Sequence, residues 1–237
     1  RQSIMTLGKV FLLPMLLHEE GFDSMPSDVL TWIQQCDAFF VENEKTARRY
    51  FKKLWKEMVI DDYTWHAIHK VENEQIHAFS QLLKQGKNIG ILSEAGCAGI
   101  ADPGQILVAA AQELGAIVKP YTGPSSLLLA LMASGMNGQN FHFHGYLPID
   151  ALERKKKIQA LETDIKQTGV TQLFIETPYR NNQLFEAIVQ NCHPNTKLCV
   201  AMELTGPDEW IKTQSVNNWK NSKPELHKKL VVFLLGA

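Results

Sequence analysis

The sequence predicts an α/β protein of two α/β domains with mostly parallel or mixed sheets, and three observations predict it. Short apolar runs alternate with longer helix-forming segments along the whole chain. The stretch Asn88–Leu114 reads as a strand, a glycine-bearing turn and a helix. Pro120–Pro124 (PYTGP) holds two prolines and a glycine that interrupt any regular element.

In the first half the expected strands are Lys9–Leu13, Ala38–Val41, Asn88–Leu92 and Ile117–Lys119. In the second half they are Phe141–His144, Thr171–Ile175, Lys197–Met202 and Lys229–Leu235. Helices are expected at Ser27–Gln35, Lys45–Trp55, Glu72–Gln85, Gln105–Leu114, Ser125–Ala133, Asp150–Thr168 and Asn181–Gln190. Strands alternating with helices imply right-handed crossovers and a mostly parallel sheet covered on both faces. The 237 residues suit one large domain or two small ones. The break at PYTGP favours two, residues 1–120 and 121–237.

With 45% hydrophobic residues the chain can build a real core, and its net charge of −1 does not indicate a strongly basic nucleic-acid binder. A local basic patch stays open. Cys36, Cys97, Cys192 and Cys199 form no CxxC pair, which fits a reducing compartment and argues against a disulfide framework or a cysteine zinc site. No apolar run approaches the roughly 20 residues of a membrane span. Val10–Leu17 (VFLLPMLL) follows a lysine, is broken by a proline and leads into HEE, so it reads as a buried strand running into a loop. A soluble, cytoplasmic protein is expected.

The loop after Asn88–Leu92 carries the first chemical signal. In ILSEAGCAGIADPG (Ile91–Gly104), Gly96 and Gly99 can take positive φ without steric cost. Asp102-Pro103 reads as an N-cap followed by a first helical residue, ahead of the helix formers QILVAAAQEL. Such a turn lies at the carboxyl edge of a parallel sheet, where ligands of open α/β folds bind. It matches neither GxGxxG nor a P-loop, and every doubly wound sheet contains plain connections of this kind. A second pattern adds to it: four expected strands end in glutamate, at Glu42, Glu94, Glu176 and Glu203. Carboxylates gathered at strand ends suit a ligand that is cationic or rich in hydrogen-bond donors.

These residues resemble a known family. SEAGCAGIADPG is similar to the "SDAGTPGISDPG" loop of the tetrapyrrole methylase superfamily. GPSSLLLALMASGM (Gly123–Met136) is similar to its helix after the linker, and FHFHGYLP (Phe141–Pro148) to its "F-x-F-x-G-F-L-P" strand. LFIETPYR (Leu173–Arg180) resembles "L-I-F-Y-E-S-x-H-R", and AMELTG (Ala201–Gly206) resembles "A-R-E-L-T-K". Within the superfamily the likeness is to the bacterial branch that methylates a ribose 2′-hydroxyl of small-subunit ribosomal RNA. The resemblance implies two α/β domains with S-adenosylmethionine in the cleft between them, ribosomal RNA or the small ribosomal subunit as partner, and a homodimer. Carried over position by position, it assigns cofactor contacts to Pro14, Glu94, Ala95, Gly96 and Cys97. It assigns others to Ser125, Ser126, Ile175, Glu176, Met202, Glu203 and Leu204. The chain departs from the pattern at several places. The family's "P-T-P-I-G-N" is PMLLHEEG here, so only Pro14 is kept. The loop's Asp is Glu94 and its Thr-Pro is Cys97-Ala98. Met202 and Gly206 replace an arginine and a lysine. The loss of two positive charges bears on an RNA substrate more than on the cofactor.

Methyl transfer from a sulfonium is an in-line displacement in which the protein aligns donor and acceptor, and no metal is required. An alcohol acceptor gains from a general base. Glu42 and Glu44 (VENEK) are the catalytic candidates, with capping of the Lys45–Trp55 helix as the alternative role. His66, His69 and His77 lack HExxH spacing and read as surface histidines of an exposed helix. His142 and His144 share one strand face. Cys97 fits a small residue beside a ligand better than a nucleophile. Arg154, Lys155, Lys156 and Lys157 form either a solvated helix face or an RNA phosphate site, with Arg48, Arg49, Lys52, Lys53 and Lys56 as a second patch. Three functions stay open: an RNA methyltransferase, a methyltransferase acting on a tetrapyrrole or other small molecule, and a catalytically degenerate cofactor-binding protein.

Overall fold

Five short strands, the central ones apolar and buried at nearly every position, build the first sheet. A computed structural model describes residues 6–68 and 73–237 of the chain. In it, β1 (Val10–Leu13), β2 (Ala38–Val41), β3 (Thr64–Ala67), β4 (Ile89–Leu92) and β5 (Val118–Pro120) pair in the order β3-β2-β4-β1-β5. Every pairing is parallel. Because successive side chains point to opposite faces, the strands feed two cores. Phe11, Leu13, Phe39, Val41 and Leu92 face one, which α1 (Val29–Gln34) and α2 (Glu44–Leu54) cover. Val10, Ala38, Phe40, Ile89 and Ile91 face the other, covered by α3 (Asn73–Lys84) and α4 (Gln105–Leu114). Burial on both faces is what a parallel sheet requires.

The second sheet is mixed. It runs β6-β7-β10-β8-β9, with β6 (Phe141–Tyr146), β7 (Thr171–Ile175), β8 (Lys197–Met202), β9 (Trp210–Ser215) and β10 (Val231–Gly236). β6 and β7 are parallel, while β10 is antiparallel to both β7 and β8. β7 and β8 therefore point the same way. One face packs Phe174, Leu198, Val200 and Phe233 against α6 (Ala151–Thr168), α7 (Asn181–Asn191) and α8 (Val216–Trp219). The other face carries α5 (Ser126–Ser134), which packs on β8, β9 and β10. The chain divides into two compact units. One holds the residues up to Leu17 and Gly21–Pro124; the other holds His18–Glu20 and Ser125–Ala237.

Two strands and a helix were not expected from the sequence. β3 is an edge strand, exposed or half-buried at every position, and so lacks an apolar run. β9 is likewise an exposed or half-buried edge strand, and α8 spans a single turn. The expected exposed helix around the three histidines is corrected. His66 lies on β3 with its ring stacked on Phe40 at 4.4 Å, and burial lowers its pKa against the opposing pull of Glu44. His77 is on α3, and His69 falls outside the described residues.

Candidate functional site

In the first unit, parallel pairing sends the ends of β1, β2 and β4 to one edge, and the loops there are tied together. Met15 and Gly96 form an isolated bridge, with Met15 N–H donating to Gly96 O at 3.1 Å and Gly96 N–H to Met15 O at 3.2 Å. Gly96 sits at φ +76°. A Cβ there would lie 3.1 Å from Leu17 Cδ2 and 3.3 Å from the Pro124 carbonyl, so protein atoms already border that position. Pro14 is buried, and its carbonyl accepts from the Tyr50 hydroxyl at 3.3 Å. A Cβ on Gly123 would fall 2.2 Å from Pro14 Cβ, so the first loop and the PYTGP linker meet where only glycine fits. Pro14, Gly96 and the linker are thus adjacent, while Glu94 and Ala95 are exposed beside them.

Cys97 Sγ lies 3.6 Å from the Pro124 carbonyl, where a thiol donates. Burial, and secondarily Asp102, raise its pKa, which favours the thiol over the thiolate. Asp102 does not cap α4 as the sequence reading expects. The helix starts at Gln105 after Gly104, and Asp102 Oδ1 accepts from Gly99 N–H at 2.8 Å and Gly104 N–H at 3.0 Å. The carboxylate therefore closes the loop on itself rather than opening the helix. Glu42 and Glu44 have separate roles. Glu42 Oε2 accepts from Glu94 N–H at 2.8 Å and from Ser93 Oγ at 3.3 Å. Glu44 pairs with Arg48 at 3.1 Å along α2, and Asn43 supplies the helix cap by accepting from Thr46 N–H.

In the second unit, Glu176 and Glu203 follow β7 and β8 and so share one sheet edge, two strands apart. Glu176 is 7% exposed, and its Oε1 accepts from Thr177 N–H at 2.7 Å and from Arg180 Nε at 3.2 Å. Glu203 is 9% exposed, adopts φ +52°, and accepts from Leu230 N–H at 3.1 Å through Oε1. Its other oxygen lies 3.4 Å from His18 Nε2. Thr205 also has positive φ, and its hydroxyl is buried with no partner among the described residues. Ile175 and Met202 are half-buried at these strand ends, and Leu204 is buried. Ser125 caps α5, accepting from Leu128 N–H at 3.4 Å, and Ser126 opens that helix. Arg154–Lys157 lie on α6, across the sheet from α5.

The sequence reading missed Tyr50, Gly123 and His18. Nothing in the sequence marks Tyr50, whereas Gly123 sits inside the PYTGP motif and His18 inside the altered first loop. Glycine-turn loops at one edge of a parallel sheet in the first unit, and buried carboxylates at one edge of a mixed sheet in the second, define a protein of two α/β units. The model of the tetrapyrrole (corrin/porphyrin) methylases matches residues 21–218, and the chain belongs to that family. It is 28% identical over 218 residues to the ribosomal RNA small subunit methyltransferase I of Bacillus subtilis (strain 168), covering 91% of this chain and 71% of that protein. It is 31% identical over 167 residues to the protein of the same name from Haemophilus influenzae, covering 69% of this chain and 58% of that one. Among solved structures, the methyltransferase CobJ superposes with a TM-score of 0.63 at 17% identity, covering 97% of this chain and 94% of that one. Cobalt precorrin-4 methyltransferase CbiF superposes with a TM-score of 0.61 at 14% identity, covering 96% and 94%.

Proposed function

We propose that this chain is an S-adenosylmethionine-dependent methyltransferase that modifies a ribose 2′-hydroxyl of small-subunit ribosomal RNA. The observation that carries it is the 28% identity across 91% of the chain to a ribosomal RNA small subunit methyltransferase I. The residues present suit such a cofactor. The exposed Glu94–Ala95 segment offers backbone and carboxylate groups, and Thr205 Oγ1 is an unmatched polar atom beside Glu203. The candidate contacts are, within the first unit, Pro14, Glu94, Ala95, Gly96 and Cys97, and, taken separately within the second, Ser125, Ser126, Ile175, Glu176, Met202, Glu203 and Leu204. When bound, its sulfonium supplies the methyl group. The chain's own residues bind, orient and exclude water.

Of the two carboxylates considered as a base, Glu42 is the better candidate. Its Oε1 makes no hydrogen bond among the described residues, whereas Glu44 is paired to Arg48. RNA contact falls to Arg154–Lys157. Lys155 and Lys156 are exposed, and Arg154 and Lys155 line a surface groove of about 540 Å³ with Asn182, Gln183, Gln190, Asn191 and Glu186 from α7, the last paired with Lys223 at 2.7 Å. Such side chains suit phosphates and ribose hydroxyls. No helix among the described residues is long and apolar enough to cross a membrane. Action in the cytoplasm as a homodimer belongs to the proposal.

The test is to map ribose methyl groups in small-subunit ribosomal RNA from a deletion strain. One methyl should be missing and should return on complementation. An unchanged methylation map, with titrable binding of S-adenosylhomocysteine by the purified protein, would instead favour a small-molecule acceptor such as a tetrapyrrole.

A further inference from the structure

His18 stands in the segment where the first loop departs most from the family pattern, and Gly206 stands where that pattern has lysine. Neither change explains itself alone, but in the fold the two meet. A Cβ placed on Gly206 would lie 2.6 Å from His18 Cδ2, 2.8 Å from Cγ and 3.0 Å from Nε2. These are ring atoms, so a side chain at 206 and the imidazole cannot share the space unless the ring swings away. Gly206 is not among the residues with positive φ, so its φ does not bar alanine, and the three atoms nearest to an added Cβ all belong to the ring.

The ring is held from both sides. Glu20 N–H donates to His18 Nδ1 at 3.1 Å, which leaves Nε2 to carry the proton of the neutral imidazole. That nitrogen lies 3.4 Å from Glu203 Oε2, while Glu203 Oε1 accepts from Leu230 N–H. The turn beneath is closed by Gly206 N–H donating to Glu203 O at 2.9 Å. Glu203 is thus held at Oε1 by a hydrogen bond and has the His18 ring against Oε2, in a left-handed backbone conformation that a non-glycine residue adopts only when its surroundings hold it there.

We propose that His18 is a positioning residue of the cofactor site. Its ring fills the room beside Gly206 and stands 3.4 Å from the Glu203 carboxylate, so that His18 and Gly206 form a matched pair. The proposal rests on the cofactor reading for where the site lies, and on the geometry for the pairing.

A cycle of four proteins tests it, with His18→Gln as a fifth: the unaltered chain, His18→Ala, Gly206→Ala and the double variant, each titrated with S-adenosylhomocysteine and melted. His18→Ala should weaken binding at least tenfold, and His18→Gln, whose amide can still donate to Glu203, should recover most of that loss. Gly206→Ala should weaken binding and lower the melting temperature in the unaltered chain but not in the His18→Ala background. Equal effects of Gly206→Ala in both backgrounds, or unchanged affinity for His18→Ala, would overturn the proposal. If the unaltered chain binds no S-adenosylhomocysteine, the cofactor reading fails. The melting temperatures of the same four proteins still decide whether the two residues are paired.

Discussion

The carboxylate of Glu42 accepts the backbone N–H of Glu94 at 2.8 Å, joining the end of β2 to the loop that follows β4. Strand order makes this possible, because β2 and β4 are parallel neighbours whose ends reach the same edge. A carboxylate accepting a backbone N–H is a charge-assisted bond, worth about 1.5–3 kcal/mol. Glu42→Ala should therefore destabilise the protein by about that amount and leave the Glu94–Gly99 loop more open to proteolysis. Glu42→Gln keeps an acceptor and should recover roughly half. Chemical denaturation of the three proteins measures it, and identical midpoints would show that the bond contributes nothing.

Asp102 gives a pH dependence of definite sign. Burial raises its pKa in the folded chain against the lowering effect of the Gly99 and Gly104 N–H groups and of Ser93. A raised folded pKa means that the native state binds the proton more tightly. Its contribution to stability is then fully present below the unfolded carboxylate pKa and is lost as pH rises through the folded one. Asp102→Asn retains an acceptor for both N–H groups and cannot ionise. It should melt higher than the unaltered protein at neutral pH, and that advantage should shrink on acidification through the carboxylate range. An advantage that grows towards acid would reverse the assignment.

Gly96 and Gly99 separate backbone strain from crowding. Both have positive φ, +76° and +81°, but a Cβ at Gly99 meets nothing within 4 Å whereas one at Gly96 meets Leu17 and Pro124. Alanine at Gly99 should cost about the 1–2 kcal/mol of a left-handed residue. Gly96→Ala should cost more, and Gly96→Val more again while abolishing cofactor binding. Equal melting temperatures for the two alanine variants would remove the crowding argument.

The strands whose side chains are buried on both faces, such as Phe39–Val41 and Leu173–Phe174, were legible because burial leaves an unbroken apolar run. Edge strands were not: Thr64–Ala67 and Trp210–Ser215 are largely polar and held by neighbours rather than by their own pattern. The glycine turn at Gly96 and the strand-end glutamates were legible as local signals. What Asp102 accepts was misread, because an aspartate before proline caps a helix or closes a loop depending on where the helix begins. His18 and Gly206 are far apart in the sequence, and each looks like a loss until the fold brings them together.

The Arg154–Lys157 run predicts a salt signature. Lys155 and Lys156 are exposed, and Lys156 lies 4.0 Å from Glu153, a surface pair worth little. Changing Lys155, Lys156 and Lys157 to alanine should leave the fold intact, weaken binding to small-subunit RNA, and flatten its salt dependence. The slope of log affinity against log salt should fall by roughly 0.7–0.9 for each phosphate that is no longer neutralised. Unaltered affinity and slope would remove this helix from the RNA surface.

Glu94 gives the sharpest comparison between charge at the loop and charge elsewhere. Its side chain is exposed and, among the described residues, reaches only Asn43 Nδ2 at a long 3.5 Å, so it is available to a ligand rather than used by the fold. Glu94→Gln keeps size and hydrogen-bonding capacity but removes the charge. It should leave the melting temperature unchanged and weaken S-adenosylhomocysteine binding by about 1.5–3 kcal/mol, roughly ten- to hundredfold. Glu57, exposed in the turn just past α2, is the control: the same change there alters net charge equally but should not move the affinity. Calorimetric titration of the two variants at one ionic strength separates a local contact from a general field effect. If Glu57→Gln weakened binding as much as Glu94→Gln, the effect would belong to overall charge, and the Glu94–Cys97 loop would lose its claim to the cofactor.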